Sequence, residues 1–258
     1  MPSHYAHHRF GADILGTIPA ESHRLIQRFR RLYNIGLQGP DLFFHYNPLW
    51  KTELGNLGSQ LHHLTGREFF DRACAVLKEH PSEGATAFLY GMLAHYCLDS
   101  RVHPLVHAET DDGKIGHVEL ETEFERYLLT MDGKIPPQNF RMGETYKITR
   151  GECVTVSLFY APATPGKIHT CLQNMRRNDW FLAGKNRKLL RILMSVTPEK
   201  VQQHLMPDHP NHKCLHLNEA MLAHYEQAAA EYPLLLEELT KHLRHGTPLG
   251  AEFEATFG

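Results

Sequence analysis

The sequence predicts an all-α protein, a multi-helix bundle. Three observations lead there. Apolar residues recur at helical spacing through most of the 258 residues. Thr65 and Glu68 form a helix-opening capping box. His95 and Asp99, and again His117 and Glu121, pair an imidazole with a carboxylate four residues on. On a helix that spacing stacks both side chains on one face, roughly 6 Å apart.

The elements follow in order. Residues 12–18 form a short segment ending at Pro19. Residues 21–33 carry Leu25, Ile26, Phe29 and Leu32 at helical spacing under a basic outer face. Residues 36–41 are a loop by their Gly and Pro content. Helices are expected over 54–62 and 65–79. A strong helix spans 82–98, with Phe88, Leu89, Met92 and Tyr96 in one stripe, and Pro104 is expected to break it. Residues 115–131 form the next helix, on Val118, Phe124 and Leu128.

The second half is less sharply patterned. Residues 146–160 are dense in β-branched side chains and fit a hairpin, but the helical context favours helix for their later part. Residues 168–196 read as one or two helices broken near Gly184. Residues 198–210 open as a short helix and become a polar loop. Residues 217–244 form a long amphipathic helix that Pro233 should kink or split. We expect a single domain over 1–258, with a metal-site half at about 1–132 and a supporting helical half at about 139–258. Residues 133–138 are the best hinge candidate.

Composition narrows the function classes. Hydrophobic residues at 42% and charged residues at 22% suit an ordinary globular protein. A net charge of −2 gives no global attraction to nucleic acid, so no stable nucleic-acid complex is expected. The five cysteines are widely spaced without a Cys-x-x-Cys, which suits reduced thiols. The first nine residues lack the apolar core of a signal peptide. Together these lead to a cytoplasmic expectation. No run of eighteen apolar residues predicts a transmembrane segment. There is no Walker loop, no GxGxxG, no nucleophile elbow and no His-Asp dipeptide.

Histidine is the anomaly. Twelve of the twenty lie between His4 and His117. One His-x-x-x-Asp is more often a hydrogen-bonding pair than a metal site. Here two such pairs follow three further clusters, His7-His8, Gly39-Pro40-Asp41 and His62-His63, with His103 between the pairs. A buried imidazole must find partners, so structural demand for so many is low. Imidazole and carboxylate together suit zinc or a similar divalent ion.

In the order AHHRFG, GPDLFFH, QLH, HYCLDSRVHP and HVELE, residues 1 to about 130 resemble the zinc-dependent phospholipase C family. That family is related to fungal single-strand-specific zinc nucleases. The resemblance implies an all-α fold of that type, two or three zinc ions and a phosphodiester or phospholipid substrate. It implies that Asp41, His62, His95 and Asp99 hold one zinc, and that His103, His117 and Glu121 hold a second. Asp99 would bridge to a third, shared with His7 and the N-terminal amine and carbonyl. Asp41 would be the general base for the attacking water. Leu42 stands where an aromatic residue is expected, so choline specificity does not carry over.

The expected function is therefore a zinc-dependent, phospholipase C-like hydrolase that directs water at a phosphodiester. A zinc nuclease and a metal-binding protein of the same fold without turnover are the alternatives. Adjacent helical residues point about 100° apart, so one of each His pair faces inward, and the motif match favours His7 and His62. His45 and His107 are either outer donors or loop histidines open to water. His209, His212 and His216 beside Cys214 read as a solvated loop. Arg176, Arg177, Lys185, Arg187, Lys188 and Arg191 make a basic run near Trp180 and Phe181, read as a charged helix face that could also meet phosphate or lipid head groups. Phe43, Phe44, Tyr46 and Trp50 fit a substrate cleft or core packing equally.

Overall fold

A computed structural model describes residues 4–47, 50–183, 187–197 and 202–258. Among them the fold is helical, and the only β feature is an isolated bridge between Thr65 and Thr256. The α-helices are α1 (His4–Asp13), α2 (Ala20–Arg28), α3 (Arg30–Gly36), α4 (Glu53–His62), α5 (Gly66–Glu79), α6 (Glu83–Thr110), α7 (His117–Met131), α8 (Arg150–Ser157), α9 (Pro165–Leu182), α10 (Arg187–Ser195) and α11 (Asn218–His245). A 3-10 helix over Gly39–His45 leads from α3 toward α4. No helix among the described residues is long and apolar enough to cross a membrane. All five cysteines are buried and free.

Helix α6 organises the molecule. It has 28 residues, about 42 Å of helix. Its N-terminal two-thirds is buried on every side, as expected of a helix apolar all round. α3 and α11 pack along it most extensively, and α1, α2, α5, α7 and α8 also touch it. The approach of α3 requires glycine on both sides. A Cβ on Gly91 would stand 2.2 Å from the Tyr33 carbonyl oxygen, and one on Gly36 2.2 Å from that of Phe88.

Several expectations need correction. The first helix begins at His4, so the AHH motif lies on a helix that apolar periodicity from residue 12 did not reveal. The helix expected over 21–33 turns at Phe29 (φ −116°, ψ 37°), which redirects α3 against α6. Pro104 does not break α6, which runs on to Thr110. Its ring is exposed, and buried Val102 and Val106 on the opposite side hold the helix in place. Pro233 likewise lies inside a continuous α11. Buried Tyr232, Leu235, Leu236 and Leu239 surround it, and the Tyr232 hydroxyl donates to the Tyr90 carbonyl at 3.0 Å. Packing outweighs the local cost of proline at both places.

In the second half, 146–160 forms no hairpin; α8 takes its later part, opened by a capping box of Thr149 and Glu152. The break expected at Gly184 and the start of the segment at Pro198 lie outside the described residues; α9 ends at Leu182 and α10 begins at Arg187.

Candidate metal centre

Five separate segments bring the donors together. α1 presents His7, the 3-10 helix presents Asp41, α4 ends on His62, α6 carries His95, Asp99 and His103, and α7 opens with His117 and Glu121. Their donor atoms form three groups, each mutually within 4.8 Å: His7, His95 and Asp99; Asp41, His62 and His95; and His103, His117 and Glu121. His95 belongs to two of them. His62 Nε2 lies 2.9 Å from Asp41 Oδ1. His7 Nε2 and His95 Nε2 lie 3.2 and 3.0 Å from the two oxygens of Asp99. His103 and His117 meet Glu121 Oε1 at 3.3 and 3.2 Å.

Backbone carbonyls orient the rings. His62 Nδ1 donates to Gly58 at 2.8 Å, His95 Nδ1 to Leu37 at 3.2 Å and His103 Nδ1 to Phe257 at 3.1 Å. A carbonyl can only accept, so each Nδ1 carries a proton. In a neutral ring the Nε2 lone pair then points inward, which is the tautomer a metal requires. For His95 this is pronounced. Its Nε2 is buried, makes no hydrogen bond, and still stands 3.0 Å from a carboxylate oxygen. Burial pushes its pKa down, against Asp99, toward the neutral form. A lone pair and an anionic oxygen facing each other in a buried site fit a cation between them. A cavity of about 20 Å³ lies among these donors, with His7, Asp99, His103 and Glu121 on some walls and Leu98, Val102, Phe124 and Met221 on others.

The carboxylates are ready for such a role. Burial opposes ionisation of Asp99, but His95, His103 and His7 hold it well below the usual range. Asp41 is held low by His62 and Glu121 by His103 and His117, again against burial. His103 is raised to about 9, because Asp99 and Glu121 outweigh burial.

Gly39 makes the crossing possible. Its φ is +53°, and a Cβ there would lie 2.3 Å from His95 Cδ2. It turns the chain so that Asp41 faces α6. Of the paired histidines, His7 and His62 face the cluster; His63 is exposed and His8 borders a different cleft. The N-terminal amine and carbonyl expected beside His7 lie outside the described residues.

The outer histidines divide. His107 is exposed, its ring 5.6 Å from that of His117. His45 is not open to water as a loop residue would be: its Nε2 meets His4 Nε2 at 3.0 Å and its Nδ1 meets Asn178 at 3.1 Å. His4 and His204 belong to this rim and were not anticipated. Burial lowers them to about 3 and about 4. His4 was legible in principle, one turn before His7; His204 lies in a polar stretch without a pattern. The loop with His209, His212 and His216 is exposed at all three, as expected. Phe43 is core, Phe44 packs on the His62 ring at 5.6 Å, and Trp50 is exposed.

Fold and site together define a class: an all-α protein whose central helix gathers imidazoles and carboxylates into three adjoining groups that could hold metal ions. The sequence profile of zinc-dependent phospholipase C matches residues 6–166, from α1 through the start of α9. The chain belongs to the zinc-dependent phospholipase C family. No curated protein and no solved structure matches it significantly.

Proposed function

We propose that this chain is a phosphodiester hydrolase of the phospholipase C type, working at a multi-zinc site. The observation that carries the reading is the convergence of the three donor groups along α6, two of them sharing His95. Asp41, His62, His95 and Asp99 would hold one zinc, His103, His117 and Glu121 a second, and His7 with Asp99 would contribute to a third.

Bound zinc supplies Lewis acidity to water and to the phosphoryl oxygens. The chain's own residues do the rest. Asp41 orients the attacking water and accepts its proton, while His62 fixes the carboxylate through Oδ1. Water oxygen bonds to phosphorus, the bond from phosphorus to the leaving oxygen breaks, and the departing alkoxide takes the proton that Asp41 accepted. The carbonyls of Leu37, Gly58 and Phe257 hold the imidazoles so that little reorganisation accompanies the step.

The test is metal analysis of purified protein with hydrolysis of bis(p-nitrophenyl) phosphate and of phospholipid. More than one zinc per chain with hydrolysis, and a loss of roughly 10²–10⁴-fold in Asp41→Asn, is the expected result. Full zinc without turnover over a broad panel would make this a metal-binding protein. Turnover confined to single-stranded nucleic acid would make it a nuclease.

A further inference from the structure

Because α6 runs on past Pro104, its last turns carry one more imidazole than the donor groups use. His103 and His107 stand four residues apart there, as His117 and Glu121 do at the start of α7. Each spacing puts its two side chains on one helix face. The two helices touch, so two such pairs meet. Of the four donors, three are gathered within 4.8 Å of one another.

The three imidazoles form a nearly equal-sided triangle. Ring centres lie 5.5 Å apart for His103 and His117, 5.6 Å for His107 and His117, and 5.9 Å for His103 and His107. Zinc sits about 2.0–2.1 Å from an imidazole nitrogen, so ring centres sharing one tetrahedral ion stand roughly 5 Å apart. The observed triangle is only slightly wider.

His103 Nε2 and His117 Nε2 already converge on one oxygen, Glu121 Oε1, at 3.3 and 3.2 Å. His107 occupies the third corner with its nitrogens outside that group. The difference has a cause. His103 Nδ1 is tied to the Phe257 carbonyl at 3.1 Å, whereas no hydrogen bond among the described residues engages the His107 ring. The residue is exposed, and an untethered exposed side chain changes rotamer freely.

We propose that His107 is the fourth protein ligand of the second zinc, so that His103, His107, His117 and Glu121 enclose that ion as a structural site. The inference rests on the multi-zinc reading of the cluster and deepens it, because it says which ion does not hold the reacting water. Four protein ligands close a tetrahedral zinc, whereas a catalytic site keeps one position open. Closed in this way, the site joins the turns of α6 beyond Pro104 to the start of α7. The open position then belongs to the zinc beside Asp41, the residue already placed as the base.

The test is nuclear magnetic resonance of the full chain, isotope-labelled in its histidine ring nitrogens and titrated with zinc. The His107 signals are the ones missing from His107→Ala. One of its ring nitrogens should shift into the range of zinc-bound imidazole, together with those of His103 and His117 and at the same zinc equivalent. In competition with a chromogenic chelator, His107→Ala should hold one equivalent roughly 100-fold more weakly or worse, at or beyond the limit for loss of an outer partner. His80→Ala, which removes an exposed imidazole at the end of α5, should bind zinc as wild type does. Circular dichroism checks that the variants fold, and His107→Gln supplies the assignment if the alanine variant does not. A His107 ring that keeps its free-imidazole signal in the zinc-loaded chain would overturn the proposal. So would a folded His107→Ala that binds every equivalent as wild type does, or a chain that takes up no zinc. Neither measurement reads turnover. A chain with His107 on zinc that hydrolyses nothing keeps this inference and loses the functional reading; hydrolysis with His107 free does the reverse.

Discussion

His7 Nε2 on α1 faces Asp99 Oδ1 on α6 at 3.2 Å, while the other oxygen of the same carboxylate faces His95 on its own helix. One side chain thus ties the N-terminal helix to the central one. An amide cannot do this, because its nitrogen has no lone pair to offer a cation. Asp99→Asn should therefore lose at least one zinc equivalent. Its hydrolysis rate should fall by more than the roughly 10–100-fold typical of outer-shell changes. Elemental analysis beside the rate assay reads both, and unchanged zinc would count against the bridging role.

Gly39 should tolerate no side chain. Gly39→Ala places a methyl group 2.3 Å from the His95 ring at φ +53°. The left-handed backbone costs about 1–2 kcal/mol by itself, and displacement of His95 adds to it. Thermal unfolding and zinc titration should both shift downward. A variant with wild-type zinc affinity would mean that His95 need not sit where it does.

Phe257 supports the site from the far end of the chain. Its ring packs on Phe69, Phe70, Tyr96 and His95, and its carbonyl accepts from His103. Phe257→Ala should cost about 3 kcal/mol of stability. Zinc affinity should also decline as His103 loosens. Denaturant unfolding measures the first and competition with a chromogenic chelator the second.

Glu125, beside the donor cluster, sets a pH dependence of its own. It lies one turn beyond Glu121, and burial raises its carboxyl to about 8, although the Tyr5 backbone N–H donates to it. Its ordinary value is 4.5. The neutral form is the one the fold favours. Its contribution to stability is fully present below about pH 4.5 and lost as pH rises through about 8. Glu125→Gln keeps the acceptor and removes the charge. It should leave stability near pH 4.5 unchanged and gain on the order of 5 kcal/mol by pH 9. Unfolding midpoints across that range test this, and a constant offset at every pH would contradict it.

Much of this architecture is legible in the sequence for identifiable reasons. The spacing of His95 with Asp99 and of His117 with Glu121 depends only on helical geometry, and both pairs lie on helices as read. Thr65 and Glu68 form the capping box that their spacing indicates. The misses are tertiary. Pro104 and Pro233 are local helix breakers overruled by packing on both sides. The bend at Phe29 follows from contacts with α6 that no local signal encodes. The carbonyls of Leu37, Gly58 and Phe257 are invisible to side-chain motifs, because every residue has one. His4 was missed because α1 carries few apolar residues to set its phase.

The central claim is that these side chains enclose zinc. Anomalous diffraction measured on both sides of the zinc absorption edge, from crystals of the purified chain, tests it most directly. The account predicts edge-dependent peaks among Asp41, His62, His95 and Asp99 and among His103, His117 and Glu121. Crystals grown with zinc present that show no such peak at either position would contradict it.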